Sequence, residues 1–141
     1  VKKLLVISRK NEARSQMAEK WFKYYGKNHL KVWSGGLEKG NIQLLAQKAM
    51  TEAVMDIPDY KAKLFSELEE DKFDFVICFD KSIVDELPKF SGTPEIVSFD
   101  TPDPSEVEGE ELVRLQAYNA VCNVIEDLCF AFVQEKFQII S

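Results

Sequence analysis

Apolar and polar positions along the chain alternate between two periods. Residues 4–7, Leu-Leu-Val-Ile, form an uninterrupted apolar run, as expected for a strand covered on both faces in a parallel sheet. From Gln16 the pattern changes: Met17, Trp21, Tyr24 and Tyr25 recur at helical spacing, and Gly26 stands where a helix would be capped. Residues 30–34 read as a second strand, and the polar loop from Gly35 and Gly36 through Gly40 and Asn41 leads to a second helix. Its stripe is Leu44, Leu45, Ala49, Met50 and Val54, and it ends before Ile57 and Pro58. Leu64, Phe65 and Leu68 mark a short helix inside the mostly polar stretch 60–70. Residues 73–79 are a third strand that delivers Asp80 at its carboxyl end. Residues 82–87 are a short helix stopped by Pro88, and residues 95–99 are a fourth strand. After the rigid acidic loop 100–104, the long last helix, 109–132, buries Leu112, Leu115, Tyr118, Cys122, Ile125, Leu128 and Cys129.

Strands alternating with helices predict an α/β fold, an open parallel sheet of about four strands with helices on both faces, in a single domain spanning residues 1–141. In such folds ligands collect at the carboxyl ends of the strands. Three segments remote in sequence reach that edge: the turn at residues 8–15, Asp80, and the loop carrying Asp100 and Asp103. The turn leads from the first strand into the mouth of the first helix. There, unpaired backbone N–H groups and the helix dipole favour an anion, and Arg14 and Ser15 stand beside them.

Composition narrows the ligand. A net charge of -6 and a pI near 4.9 exclude a broad nucleic-acid surface, so any basic site is local. No apolar run is long enough for a membrane span, and the short N-terminal run reads as a first strand rather than a signal peptide. The cysteines, Cys78, Cys122 and Cys129, show no metal-ligand or disulfide spacing and fall on core positions. The expectation is a cytoplasmic protein without a metal or other cofactor. His29, at the far end of the first helix, reads as a surface connector, and Trp33 and Tyr60 as packing residues. Asp80 reads as a cap for the helix begun by Ser82.

The turn and the start of the helix after it resemble the low-molecular-weight protein tyrosine phosphatase family and the arsenate reductases built on the same fold. That family's loop runs C-x-G-N-x-C-R-S and is commonly followed by Q-M-A-E; Asn11, Arg14 and Ser15 match the loop, and residues 16–19 are Gln-Met-Ala-Glu. Residues 73–87, with Cys78, Asp80 and Ser82, resemble the family's later strand and turn, and Asp103 with Pro104 matches its late Asp-Pro. The resemblance implies phosphate binding by Arg9, Lys10, Asn11, Glu12, Ala13, Arg14 and Ser15. It also implies a nucleophile at position 8, transition-state support from Arg14, and Asp103 as the general acid.

Three positions depart from the pattern: Ser8 replaces the nucleophilic cysteine, Lys10 a glycine, and Ala13 the second loop cysteine. A serine hydroxyl needs a base, and the sole histidine is remote. The foremost reading is a phosphatase-fold protein that binds phosphate or a phosphorylated protein or small molecule, with thiol catalysis lost or impaired. Two others stand beside it: an active phosphatase carrying an engineered cysteine-to-serine change at residue 8, and a non-catalytic interaction module. Oligomeric state is not legible in the sequence.

Overall fold

The computed structural model describes residues 1–41, 43–53 and 61–138. The sequence readings at Val54, Ile57, Pro58 and Tyr60 lie outside them. Four parallel strands, β1 (Lys2–Ser8), β2 (Leu30–Gly36), β3 (Phe75–Phe79) and β4 (Glu95–Phe99), form one sheet in the order β2-β1-β3-β4. The first strand is therefore central: Leu4 pairs with Val32 on one side and Phe75 on the other. Two flanking strands and two covered faces explain the unbroken apolar run, and Leu4, Leu5, Val6 and Ile7 are all fully buried.

Three helices, α1 (Arg14–Gly26), α2 (Leu44–Glu52) and α3 (Glu111–Phe137), share one core. Leu4, Val6, Ile77, Phe79 and Phe99 face that core from the sheet and meet Met17, Phe22, Met50, Tyr118 and Phe132. The opposite face, carrying Leu5, Ile7, Val76 and Cys78, is covered by shorter elements. These include the 3-10 turns Phe65–Glu67 and Lys81–Glu86, which contribute Phe65 and Ile83. Helical elements thus lie on both faces, with the α-helices gathered on one.

Several side chains expected on buried stripes are exposed: Tyr24, Leu44 and Leu112 all face outward. Leu112 and Leu44 sit in the first turns of their helices, where Leu45 rather than Leu44 turns into the core, and Tyr24 packs edge-on against Tyr25 at the periphery. Gly26 is the last residue of α1 rather than its left-handed cap; the positive φ, 47°, falls on Lys27. Glycine at 26 answers a close approach instead, since a Cβ there would lie 2.8 Å from Leu30 Cδ1. The strand and helix ends nevertheless put residues 8–14, Asp80 and the 100–105 loop on one edge. Among the described residues no helix is long and apolar enough to cross a membrane.

Candidate functional site

Ser8 is the last residue of β1, and the chain turns through residues 9–13 before α1 begins at Arg14. The turn needs one left-handed residue, and Asn11 supplies it with φ of 54°. Its side chain and backbone then tie the loop together. The Asn11 N–H donates to Ser8 Oγ at 3.0 Å, Asn11 Nδ2 donates to Ser15 Oγ at 2.8 Å, and the two serine hydroxyls lie 2.7 Å apart. Asn11 Oδ1 accepts from the Lys63 N–H at 2.9 Å, and Gln16 Nε2 donates to the Asn11 carbonyl at 2.9 Å and to that of Lys61. Asn11 and Ser15 are completely buried, so these bonds are made away from water and fix the loop's shape. Ala13, at the N-cap of α1, offers no capping side chain, and the positive end of the helix dipole is left at the loop.

Arg14 lies beside this network, 7% exposed, with its guanidinium 5.7 Å from the centre of the Phe79 ring. Nη2 donates to both Asp80 oxygens, at 3.0 and 2.9 Å, and Nη1 donates to the Thr101 carbonyl at 3.1 Å. Asp103 Oδ2 is 3.7 Å from Nη2. Asp80 makes no side-chain cap to the turn that follows it, so the capping role expected from sequence is replaced by an ion pair with Arg14. Its location at the carboxyl end of β3 was the signal for that role. Asp103 caps its own 3-10 turn: Oδ1 accepts from the Ser105 N–H at 3.0 Å and from Ser105 Oγ at 2.7 Å, leaving Oδ2 toward Arg14.

These segments border a cavity of about 280 Å³ lined by all the candidate residues except Asn11 and Ser15, which lie behind it. Gln43, Asp80 and Ser105 complete the described lining. Gln43 carried no sequence signal; it is placed by the Tyr118 hydroxyl, which donates to its Oε1 at 2.9 Å. At the rim, Arg9 bridges Glu38 and Glu86, at 2.9 and 2.6 Å. The Glu12 carboxylate accepts from the Asn41 N–H at 2.8 Å, so one of its oxygens is held by the neighbouring loop while the residue lines the cavity. That loop is pinned to the turn, because the Leu37 and Glu38 N–H groups donate to the Ser8 and Arg9 carbonyls at 3.3 and 2.8 Å.

Behind the turn lies a charge cluster centred on buried Glu19. Glu19 accepts from Ser34 Oγ at 2.6 Å and pairs with Lys23 at 2.8 Å and Lys63 at 3.0 Å. Burial alone would raise the Glu19 carboxyl; Lys63, Lys23 and the Ser34 hydroxyl outweigh it and bring the pKa down to about 2. Since the Lys63 N–H also holds Asn11, the cluster supports the loop directly.

No base stands beside Ser8 among the described residues. His29 is exposed and lies near the Phe137 ring. All three cysteines are buried and unpaired, none lines the cavity, and burial pushes the Cys78 thiol up to about 11. The described residues contain no His, Cys, Asp or Glu cluster suited to a metal ion.

Residues 3–138 match the family model described as low molecular weight phosphotyrosine protein phosphatase. The chain is 30% identical over 111 residues to an arsenate reductase of Halalkalibacterium halodurans, covering 79% of this chain and 80% of that protein. It is 31% identical over 128 residues to a glutaredoxin arsenate reductase of Synechocystis, covering 89% and 97%. Among solved structures, a low molecular weight phosphotyrosine phosphatase from Vibrio cholerae superimposes with a TM-score of 0.79 at 19% identity, covering 99% of this chain and all (100%) of that one.

Proposed function

Because the chain belongs to the low molecular weight phosphotyrosine protein phosphatase family, we propose that its 8–15 loop binds phosphate or a phosphorylated ligand without thiol-based turnover. The observation that carries this reading is Arg14, buried at the loop and the helix mouth while the position expected to attack holds Ser8. Backbone amides of the loop other than that of Asn11, which is held by Ser8 Oγ, and the Arg14 guanidinium supply the anion contacts, with Asn11 and Ser15 holding the loop open. Asp103 keeps the place of a general acid, but protonating a leaving group is useless without attack.

The arsenate reductase relatives suggest arsenate as an alternative oxyanion of similar shape. Reduction through protein thiols is disfavoured, since Cys78, Cys122 and Cys129 are all core residues outside the cavity. Titration of the protein with phosphate, followed by amide NMR, is the test. Residues 9–15 should shift at millimolar ligand, and Arg14→Ala should abolish the shifts. Silence of the loop resonances in the unaltered protein would end the proposal. The reading that Ser8 is an engineered replacement is met by sequencing the gene at that codon.

A further inference from the structure

Three cations are among the described residues that line the cavity, and two of them are ion-paired. Arg14 is paired with Asp80 and, at longer range, with Asp103, while Arg9 lies between Glu38 and Glu86. Lys10 is exposed and forms no ion pair with a described residue. No described lining carboxylate lies within ion-pair distance of it. Asp80 and Asp103 face Arg14, and Glu12 accepts from the Asn41 amide. The backbone at Lys10 is nonetheless firmly placed: a Cβ on Gly36 would come 2.8 Å from its carbonyl carbon, and one on Gly40 2.4 Å from its carbonyl oxygen. A closely packed backbone, carrying on a lysine side chain an ammonium that no described carboxylate pairs, at the wall of an anion cavity is suited to reading a second negative group.

The rest of the described lining points the same way. Ala13 is its one hydrophobic residue, and no aromatic ring is among Ser8, Gln43, Ser105 and the charged side chains that complete it. Against the described lining a phenyl ring would gain little burial on apolar surface, which is the usual source of affinity for such a group.

We propose that the ligand of this site is a compact, hydrophilic phosphate bearing a second anionic group, of the diphosphate type, with Lys10 contacting that second group. This rests on the phosphate-binding reading and specifies its ligand class. A unit charge pair about 6 Å apart, at a dielectric between the protein-surface and bulk-water limits, corresponds to about tenfold in affinity.

Calorimetric titration of the full chain with orthophosphate, pyrophosphate and phenyl phosphate separates the claims. Pyrophosphate should bind about tenfold tighter than orthophosphate, and phenyl phosphate no tighter than orthophosphate. Lys10→Ala and Lys10→Gln should weaken pyrophosphate more than orthophosphate and so remove most of the pyrophosphate advantage, and Lys10→Arg should keep the advantage. Equal binding of the two inorganic anions, a preference for phenyl phosphate, or an equal loss of both anions in Lys10→Ala would overturn the diphosphate proposal and leave phosphate binding standing. Failure of orthophosphate itself to bind at millimolar concentration would overturn both.

Discussion

Ser8 sits at the end of a central strand, its hydroxyl accepting from the Asn11 amide at 3.0 Å and within 2.7 Å of Ser15 Oγ. A thiolate in its place would meet the same N–H and hydroxyl groups, the positive end of α1 and the nearby Arg14 guanidinium. All of these favour the charged sulfur. The variant Ser8→Cys should therefore show a thiol pKa at least about one unit below the free-cysteine value of ~8.5, read as thiolate absorbance against pH. An unshifted thiol would mean that the loop does not concentrate positive potential at residue 8. The sequence made this position legible through the residues around it: Asn11, Arg14 and Ser15 at fixed spacing behind an apolar strand. It did not reveal what Arg14 grips, because an Asp at a strand end followed by a helix-starting serine is equally a cap. Only the fold, bringing β3 next to β1, sets Asp80 2.9 Å from the guanidinium.

At the scale of elements, the loop is held from behind by α1 and β2. Glu19 of α1 ties Ser34 of β2 to Lys63, and Lys63 ties Asn11. Its carboxyl titrates near 2 in the folded protein against a value of 4.5 unperturbed. The folded state thus binds the proton less readily than the unfolded chain. The stabilisation is complete above about pH 4.5 and is lost as the pH falls through 2. Glu19→Gln should cost about 2–3 kcal/mol at pH 7, an amount discounted for the partial exposure of both lysines, and the gap to the parent should close between those pH values. Urea unfolding at several pH values checks both parts; a pH-independent difference would assign the effect to packing alone.

Gly36, at the end of β2, tests the contact between strand and loop. A Cβ there would sit 2.8 Å from the Lys10 carbonyl carbon and 3.0 Å from the Asn11 nitrogen, and backbone cannot swing aside as a side chain can. Gly36→Ala should destabilise the protein by about 1–3 kcal/mol and weaken phosphate binding, whereas Gly92→Ala, meeting only Lys72 Cε at 3.9 Å but at positive φ of 81°, should affect stability alone. Element order and type were readable because the period of the apolar residues changes sharply at each boundary. The stripes were less so at helix ends: Leu44 and Leu112 satisfy the spacing, yet are exposed in the first turns of their helices.

For the molecule as a whole, the site joins segments from both ends of the chain. Arg14 reaches Thr101 and Asp80, while Gln43 is positioned by Tyr118 of the last helix. None of these contacts survives unfolding, so an anion that uses the assembled site binds the native state and not the unfolded chain. At a free concentration one hundred times its dissociation constant, such a ligand adds about 2.7 kcal/mol to stability. For a domain of this size that raises the melting temperature by roughly 8 °C. The chain's net charge of -6 opposes any diffuse attraction of anions, which confines the effect to the loop. Phosphate should therefore raise the melting temperature of the unaltered protein by that amount, matched sodium chloride should not, and Arg14→Ala should lose the phosphate-specific shift while still unfolding in one transition. A shift of equal size in Arg14→Ala would assign the stabilisation to general exclusion of phosphate from the protein surface rather than to occupancy of this site.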